Sequence, residues 1–282
     1  FTPKEEQLGQ AGLRALNIPE GAEFICFFAR DPAYMDSLVR EPGNFHYLDF
    51  LNSDINSYLP AAEELARRGY FSIRMGAVVN QAVNTDNPMI IDYATTARTD
   101  FLDIYLLAKC RLFLGGSSGI NAVPRVFRRP IAYTNFVPLS PRHLLSCAPG
   151  SVLIPKKYWL REEGRWMTFP ELVRENVGDY WQAQLFERRN IDIVENTPEE
   201  IAAVALELEG RLNGTWQTTE EDEQLQRRFW ELFMHPNRSI NGWKARPELV
   251  AEVWWETHPQ STSEFLPRIG ADFLRQDRQL LD

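Results

Sequence analysis

Between residues 23 and 136 the chain alternates short apolar runs with amphipathic stretches, and this alternation restricts its fold more than any other feature. EFICFFA (23–29), YFSIRMG (70–76), PMIIDYA (88–94), RLFLGG (111–116) and PIAYTNF (130–136) stay apolar through their centres. A strand of that kind is buried on both faces, as in a parallel sheet covered by helices. The stretches between them read as helices. SDINSYLPAAEELARRG (53–69) has Ser53 or Asp54 to cap it and Gly69 to stop it, and DFLDIYLLAKC (100–110) has Asp100 near its cap. GINAVPRVFRR (119–129) follows a glycine-rich turn. The repetition predicts an α/β fold, a doubly wound parallel Rossmann-like sheet with strands near 23–29, 70–75, 89–93, 111–115 and 131–135.

The flanks read differently. Leu8, Leu13 and Leu16 predict a helix over 3–17, stopped by Pro19 and Gly21. After the alternating region, SVLIPKKYWL reads as one extended segment and IDIVEN (191–196) as another strand. Thr197 caps a helix that opens on Pro198, and further helices are predicted at 220–234, 247–256 and 264–281. The division is a connector helix over 1–22, a Rossmann-like domain over 23–215 and a helical C-terminal extension over 216–282. The second half is expected to be mainly helical and to pack on the sheet rather than form a separate one. All eight tryptophans lie between Trp159 and Trp255, where they serve as packing anchors.

With 282 residues, 44% of them hydrophobic, the chain can bury a sizeable core. A net charge of −9 argues against a general nucleic-acid binder, which needs a basic face. Cys26, Cys110 and Cys147 show no C-x-x-C spacing and read as small core residues, which fits a cytoplasmic protein. No run approaches the roughly 18 apolar residues of a membrane span, so no span is expected, and peripheral association is compatible with the sequence.

The most informative chemistry lies in LFLGGSSGINAVPRVFRRP (112–130). A strand runs into a turn containing Gly116, Ser117, Ser118 and Gly119, and a helix follows. Glycines let a ligand approach the backbone, and a helix start offers free N–H groups, so such a turn can hold a phosphate. Alone, it is equally a tight turn with an N-cap serine. Arg30 and Asp31 follow the first strand, Arg74 ends the second and Asp92 follows the third. An arginine can fork two diphosphate oxygens, and a carboxylate can accept from a base or ribose. Each is also explicable as a strand-end turn or a surface pair. Their coincidence counts for more, because the carboxyl ends of strands in a doubly wound sheet share one crevice. The opening strand has no G-x-G-x-x-G and no P-loop is present, so a dinucleotide coenzyme and a P-loop ATPase are set aside. No cofactor and no metal are expected. His46, His143, His235 and His258 lack ligand spacing and read as structural.

The segments FFARDPAY, LNSDINSYLPAAEELARRGYFSIRMG, IIDYATTARTDFLDIYLLAKCRLFLGGSSGINAVPRVFRRPIAYTN and ENTPEEI resemble a bacterial glycosyltransferase family of surface-polysaccharide loci. The likeness runs from about residue 8 to 235, with weaker echoes in IGADFLRQDRQLL. More distantly, the order of motifs is similar to the donor domain of α-1,6-fucosyltransferases and related GT-B enzymes. That resemblance implies a diphosphate contact at Arg30, a base contact at Asp92 and closure of the site by Ser117 and Ser118. Phe28 stands where the fucosyltransferases carry a histidine, so the implication does not extend to guanine or fucose. The implied partners are a nucleotide-diphosphate sugar and a glycan or lipid-linked acceptor. GT-B enzymes have two such domains, and the absence of an initiator Met adds to the expectation that an acceptor domain, and a catalytic base with it, precedes Phe1. The 3–17 helix would then lie at the edge and leave apolar surface for that domain. Two alternatives remain at the level of sequence: a nucleotide-sugar epimerase, which needs His or Glu bases in the cleft, and a non-catalytic nucleotide- or glycan-binding module.

Overall fold

The computed structural model describes residues 1–38, 45–233 and 266–282, together with the backbone of a two-stranded ribbon (β10, Ser239–Ile240; β11, Trp243–Lys244). The main sheet contains β1 (Phe24–Phe28), β2 (Phe71–Arg74), β3 (Ile90–Ile91), β4 (Phe113–Gly115), β5 (Ile131–Phe136), β6 (Val152–Pro155) and β12 (Arg268–Ile269). Their spatial order is β12-β6-β5-β4-β1-β2-β3, and every neighbouring pair is parallel. From β3 to β6 this is the 3-2-1-4-5-6 arrangement of nucleotide-binding doubly wound sheets, with the strand order reversing between β1 and β4. All five strands expected from the apolar runs are in it.

The strands are buried because helices cover them. Ile25, Cys26, Phe27, Phe113, Leu114, Ile131 and Ala132 have no exposed surface. The Leu59–Arg67 helix packs on the Pro198–Leu212 helix, which also contacts β5, β6 and the Ala271–Gln276 helix. A second group joins the Pro3–Ala15, Asp100–Lys109 and Ala122–Val126 helices. Thr2 caps Pro3–Ala15 in a capping box with Glu5. This helix lies close against its neighbour: a Cβ on Gly9 would overlap the Tyr105 ring, and one on Gly12 would overlap Leu102. Leu13 and Leu16 are buried, whereas Leu8 is exposed. Thr99, rather than Asp100, caps Asp100–Lys109 by accepting from Leu102 N.

The second half departs from expectation in three ways. SVLIPKKYWL is not one strand: it divides at Lys156 into β6 and β7 (Lys157–Leu160). β7 pairs antiparallel with β8 (Arg165–Trp166) and with β9 (Ile191–Val194), making a separate three-stranded sheet where mainly helix was expected. The tail, expected to be helical over 264–281, supplies edge strand β12 before the Ala271–Gln276 helix and a final 3-10 turn at Arg278–Leu281. Gln226, from the Glu220–Phe233 helix, accepts from Ile269 N at 3.0 Å and donates to Ile269 O at 2.6 Å. A side-chain amide thus occupies the backbone groups of an edge strand that would otherwise be open to pairing. The helix expected at 247–256 lies outside the described residues, as do His235 and His258. No helix among the described residues is long and apolar enough to cross a membrane.

Candidate functional site

The register Phe28↔Gly115 sets the height of the switch point. Arg30 lies two residues beyond Phe28, and Ser117 lies two residues beyond Gly115, so both leave the carboxyl edge at the same level. Close packing produces this arrangement. A Cβ on Gly115 would sit 2.9 Å from Phe28 O, and one on Gly116 would sit 3.4 Å from Thr134 O. Gly115→Ala is therefore expected to wedge β4 from β1 and cost about 1–3 kcal/mol, read as a lowered thermal midpoint.

The turn after β4 is held from within. Asn121 donates its amide to Gly116 O at 3.0 Å, and Ser117 Oγ accepts from Val137 N at 3.3 Å. Ser118 occupies the N-cap position but makes no side-chain cap bond, and Gly119 is exposed with open space beside it. Asn121 Oδ1 is buried without a partner. The helix that follows is shorter than its sequence suggests: a 3-10 turn at Gly119–Asn121 and five α-helical residues, Ala122–Val126. Arg128, at φ 54°, ends it. So short a stack of peptide dipoles contributes little field, and an anion at this edge depends on cationic side chains.

Arg30 is the exposed edge's first such cation. Its Nη1 donates to Leu48 O at 3.4 Å and to Asn52 Oδ1. Burial lowers its ionisation, against the attraction of Asp49, Asp31 and Tyr47. Asp31, delivered beside it, organises loops: it accepts from Ala33 N at 2.9 Å and Asn80 N at 3.1 Å.

Arg74 and Asp92 belong to a different arrangement. Arg74, 1% exposed, donates to Asp92 Oδ1 at 2.9 Å and to Gln81 O at 3.2 Å, while Asp92 Oδ2 accepts from Val83 N at 2.9 Å. The pair closes the 81–83 loop over the ends of β2 and β3. Among the described residues, no hydrogen bond or ion pair links it to Arg30 or to the Ser117–Gly119 turn. Arg74, expected to contact the diphosphate, and Asp92, expected to contact the base, are here bonded to each other, with Arg74 buried.

Lys156 is not among the residues expected from the sequence. It follows β6, is 2% exposed, and its Nζ donates to Asn52 O at 2.5 Å. Burial pushes its ionisation down to about 8; Glu195 opposes this and Arg30 adds to it. β6 and β1 are separated by β5 and β4, about 14 Å at ~4.8 Å per strand. Lys156 and Arg30 reach toward each other from either side of that gap and meet at Asn52. The break in SVLIPKKYWL was the available signal: two lysines interrupt an apolar run.

A polar network lies under this edge. Tyr58 Oη is within 2.8 Å of Thr134 Oγ1 and 3.4 Å of Ser53 Oγ, and accepts from Asn135 Nδ2 at 3.3 Å. Burial raises the Tyr58 phenol, which keeps it neutral. Asn135 and Asn196 exchange backbone-to-side-chain bonds of 2.5 and 2.7 Å, and Asn196 donates to Pro155 O at 2.9 Å. β5, β6 and the end of β9 are thereby fixed to one another, with Lys156 at the junction. Of the histidines, His46 bonds to Asp49 on the surface, and His143 bonds to Ser140 Oγ beside the Trp181 ring.

Comparison of the chain with family models, curated proteins and solved structures gives no match.

Proposed function

We propose that the chain binds a nucleotide-diphosphate sugar at the carboxyl edge between β1 and β4 and acts as the donor-binding part of a glycosyltransferase. One observation carries the reading: a 3-2-1-4-5-6 parallel sheet whose switch point brings Arg30 level with Ser117, next to an unengaged Ser118 and an open Gly119. Ligands of such sheets lie in the crevice at that point. Arg30 would donate to diphosphate oxygens, and Ser118 with the Gly119 backbone would close the opposite side. As the sugar departs toward a glycan or lipid-linked acceptor, charge grows on the diphosphate, and a fixed guanidinium stabilises it without reorganising.

A non-catalytic nucleotide-binding module is the second reading. It is favoured by the engagement of the nearest carboxylates, Asp31 by two backbone amides and Asp49 by His46 and Asn52. The expected result is that one of the UDP, GDP, CMP or dTDP sugars binds in calorimetry, and that Arg30→Ala weakens it about tenfold or more, since ~1.4 kcal/mol is tenfold. Unchanged affinity in Arg30→Ala would leave strand-end turns and nothing more. Release of nucleotide from the bound sugar nucleotide in the presence of acceptor separates an enzyme from a binding module.

A further inference from the structure

The most unusual feature at this edge is a pair of cations without carboxylate partners. Most arginines of the structure pair with an acid: Arg68 with Glu209, Arg111 with Glu23, Arg211 with Glu207 and Arg275 with Asp222, among others. Arg30 and Lys156 form no ion pair among the described residues. Both are buried or half-buried. Charges so placed are normally paired, because taking a lone charge out of water is costly. The acids within electrostatic reach are engaged elsewhere. Asp31 accepts from two backbone amides, Asp49 from Asn52 while bonded to His46, and Glu195 from Asp54 N at 3.0 Å.

What the two cations share is Asn52. Arg30 donates to its side-chain carbonyl and Lys156 to its main-chain carbonyl. Two neutral oxygens of one residue therefore occupy the positions where an anion with several oxygens would satisfy both donors. Ser53 N, next in the chain, bonds Arg30 O at 2.9 Å, which holds this segment against the end of β1.

We propose that Lys156 is the second cation of the site that Arg30 opens, and that the two together hold a diphosphate whose oxygens take the place of the Asn52 carbonyls. The inference rests on the nucleotide-sugar reading and adds to it the group that binds the second phosphate. It has a consequence for pH. The groups that face Lys156 are Glu195 and Arg30, with Asp31, Asp49 and Tyr47 around Arg30. In the empty site Lys156 is half-protonated near pH 8. A bound diphosphate favours its charged form, so binding takes up protons around that pH, and affinity falls as pH rises above about 8.

The test uses calorimetry on the whole chain at pH 8, in two buffers of different ionisation enthalpy. Inorganic pyrophosphate probes the cation pair, and the sugar-nucleotide series probes the wider reading. Lys156→Met is expected to lose tenfold or more in pyrophosphate affinity, with a far-ultraviolet spectrum like the wild type's. Lys156→Arg, charged at every pH used, should keep most of the affinity but take up fewer protons than the wild type; the difference cancels the probe's own titration. Wild-type affinity in Lys156→Met, or identical proton uptake in the wild type and Lys156→Arg, overturns the proposal. A wild-type protein that binds neither probe overturns it together with the reading it rests on. Sugar-nucleotide binding that is indifferent to Lys156 preserves the donor-binding reading and refutes this inference alone. Pyrophosphate binding with Lys156-dependent proton uptake, but no sugar-nucleotide binding, does the reverse.

Discussion

Asp92→Ala is expected to destabilise the chain by about 3–5 kcal/mol, the range for removing one partner of a buried pair. The carboxylate accepts from Arg74 Nη1 and from Val83 N, and its loss leaves a guanidinium that is 1% exposed with Gln81 O as its remaining acceptor. Arg74 Nε already lacks a partner, so the side chain has no spare bond to redistribute. Against a typical total of 5–15 kcal/mol, such a loss would show as a large fall in the urea midpoint. Replacing both residues, as Arg74→Met with Asp92→Leu, should recover much of the stability, because neither charge is then left alone. This cycle separates the two possible roles of Asp92. A stable Asp92→Ala variant with an altered preference among nucleotides would return the residue to the base contact that the sequence resemblance implies.

The pair also shows where reading the sequence reached its limit. The strands were legible because burial on both faces leaves an unbroken apolar run: β1, β2, β3, β4 and β5 fall where the runs put them. Position at a strand's carboxyl end was legible for the same reason. Direction was not. Arg30, Arg74 and Asp92 look equivalent as polar residues after apolar runs, yet neighbouring β2 and β3 bring Arg74 and Asp92 into contact, whereas Arg30 meets a loop. That difference depends on sheet order, which local pattern does not encode. Lys156 was hidden by a similar effect. Its neighbours along the chain, Pro155 and Lys157, go to two different sheets, so the residue marks a corner rather than the middle of a strand. The small antiparallel sheet arises from the same corner, and β12 returns from more than a hundred residues away to pair with β6. Pairings between distant segments are set by packing, and two-residue strands carry no periodicity from which to read them.

Lys156→Met is expected to make the empty protein more stable at pH 7, by about 1–3 kcal/mol, while weakening diphosphate binding. Burial holds the folded lysine near 8 against an ordinary value of 10.5. Each tenfold step is 1.36 kcal/mol, so keeping the charge inside costs about 3 kcal/mol wherever folded and unfolded chains are both protonated, that is below pH 8. The bond from Nζ to Asn52 O returns about 1 kcal/mol of this. Methionine keeps the length of the side chain and loses the charge, so the cost disappears. The sign across pH follows from proton counting. Between about 8 and 10.5 the unfolded chain holds a proton that the folded chain has released, so raising the pH stabilises the wild type relative to the variant. The gap between the two should narrow through that window, measured as the difference in urea midpoint at pH 7, 8, 9 and 10. A variant less stable than the wild type, or a gap independent of pH, would mean that Lys156 is only a latch on the Asn52 carbonyl. A gap that closes as pH rises, in a variant that no longer binds pyrophosphate, would mark the residue as one kept at a cost in stability for the ligand it holds.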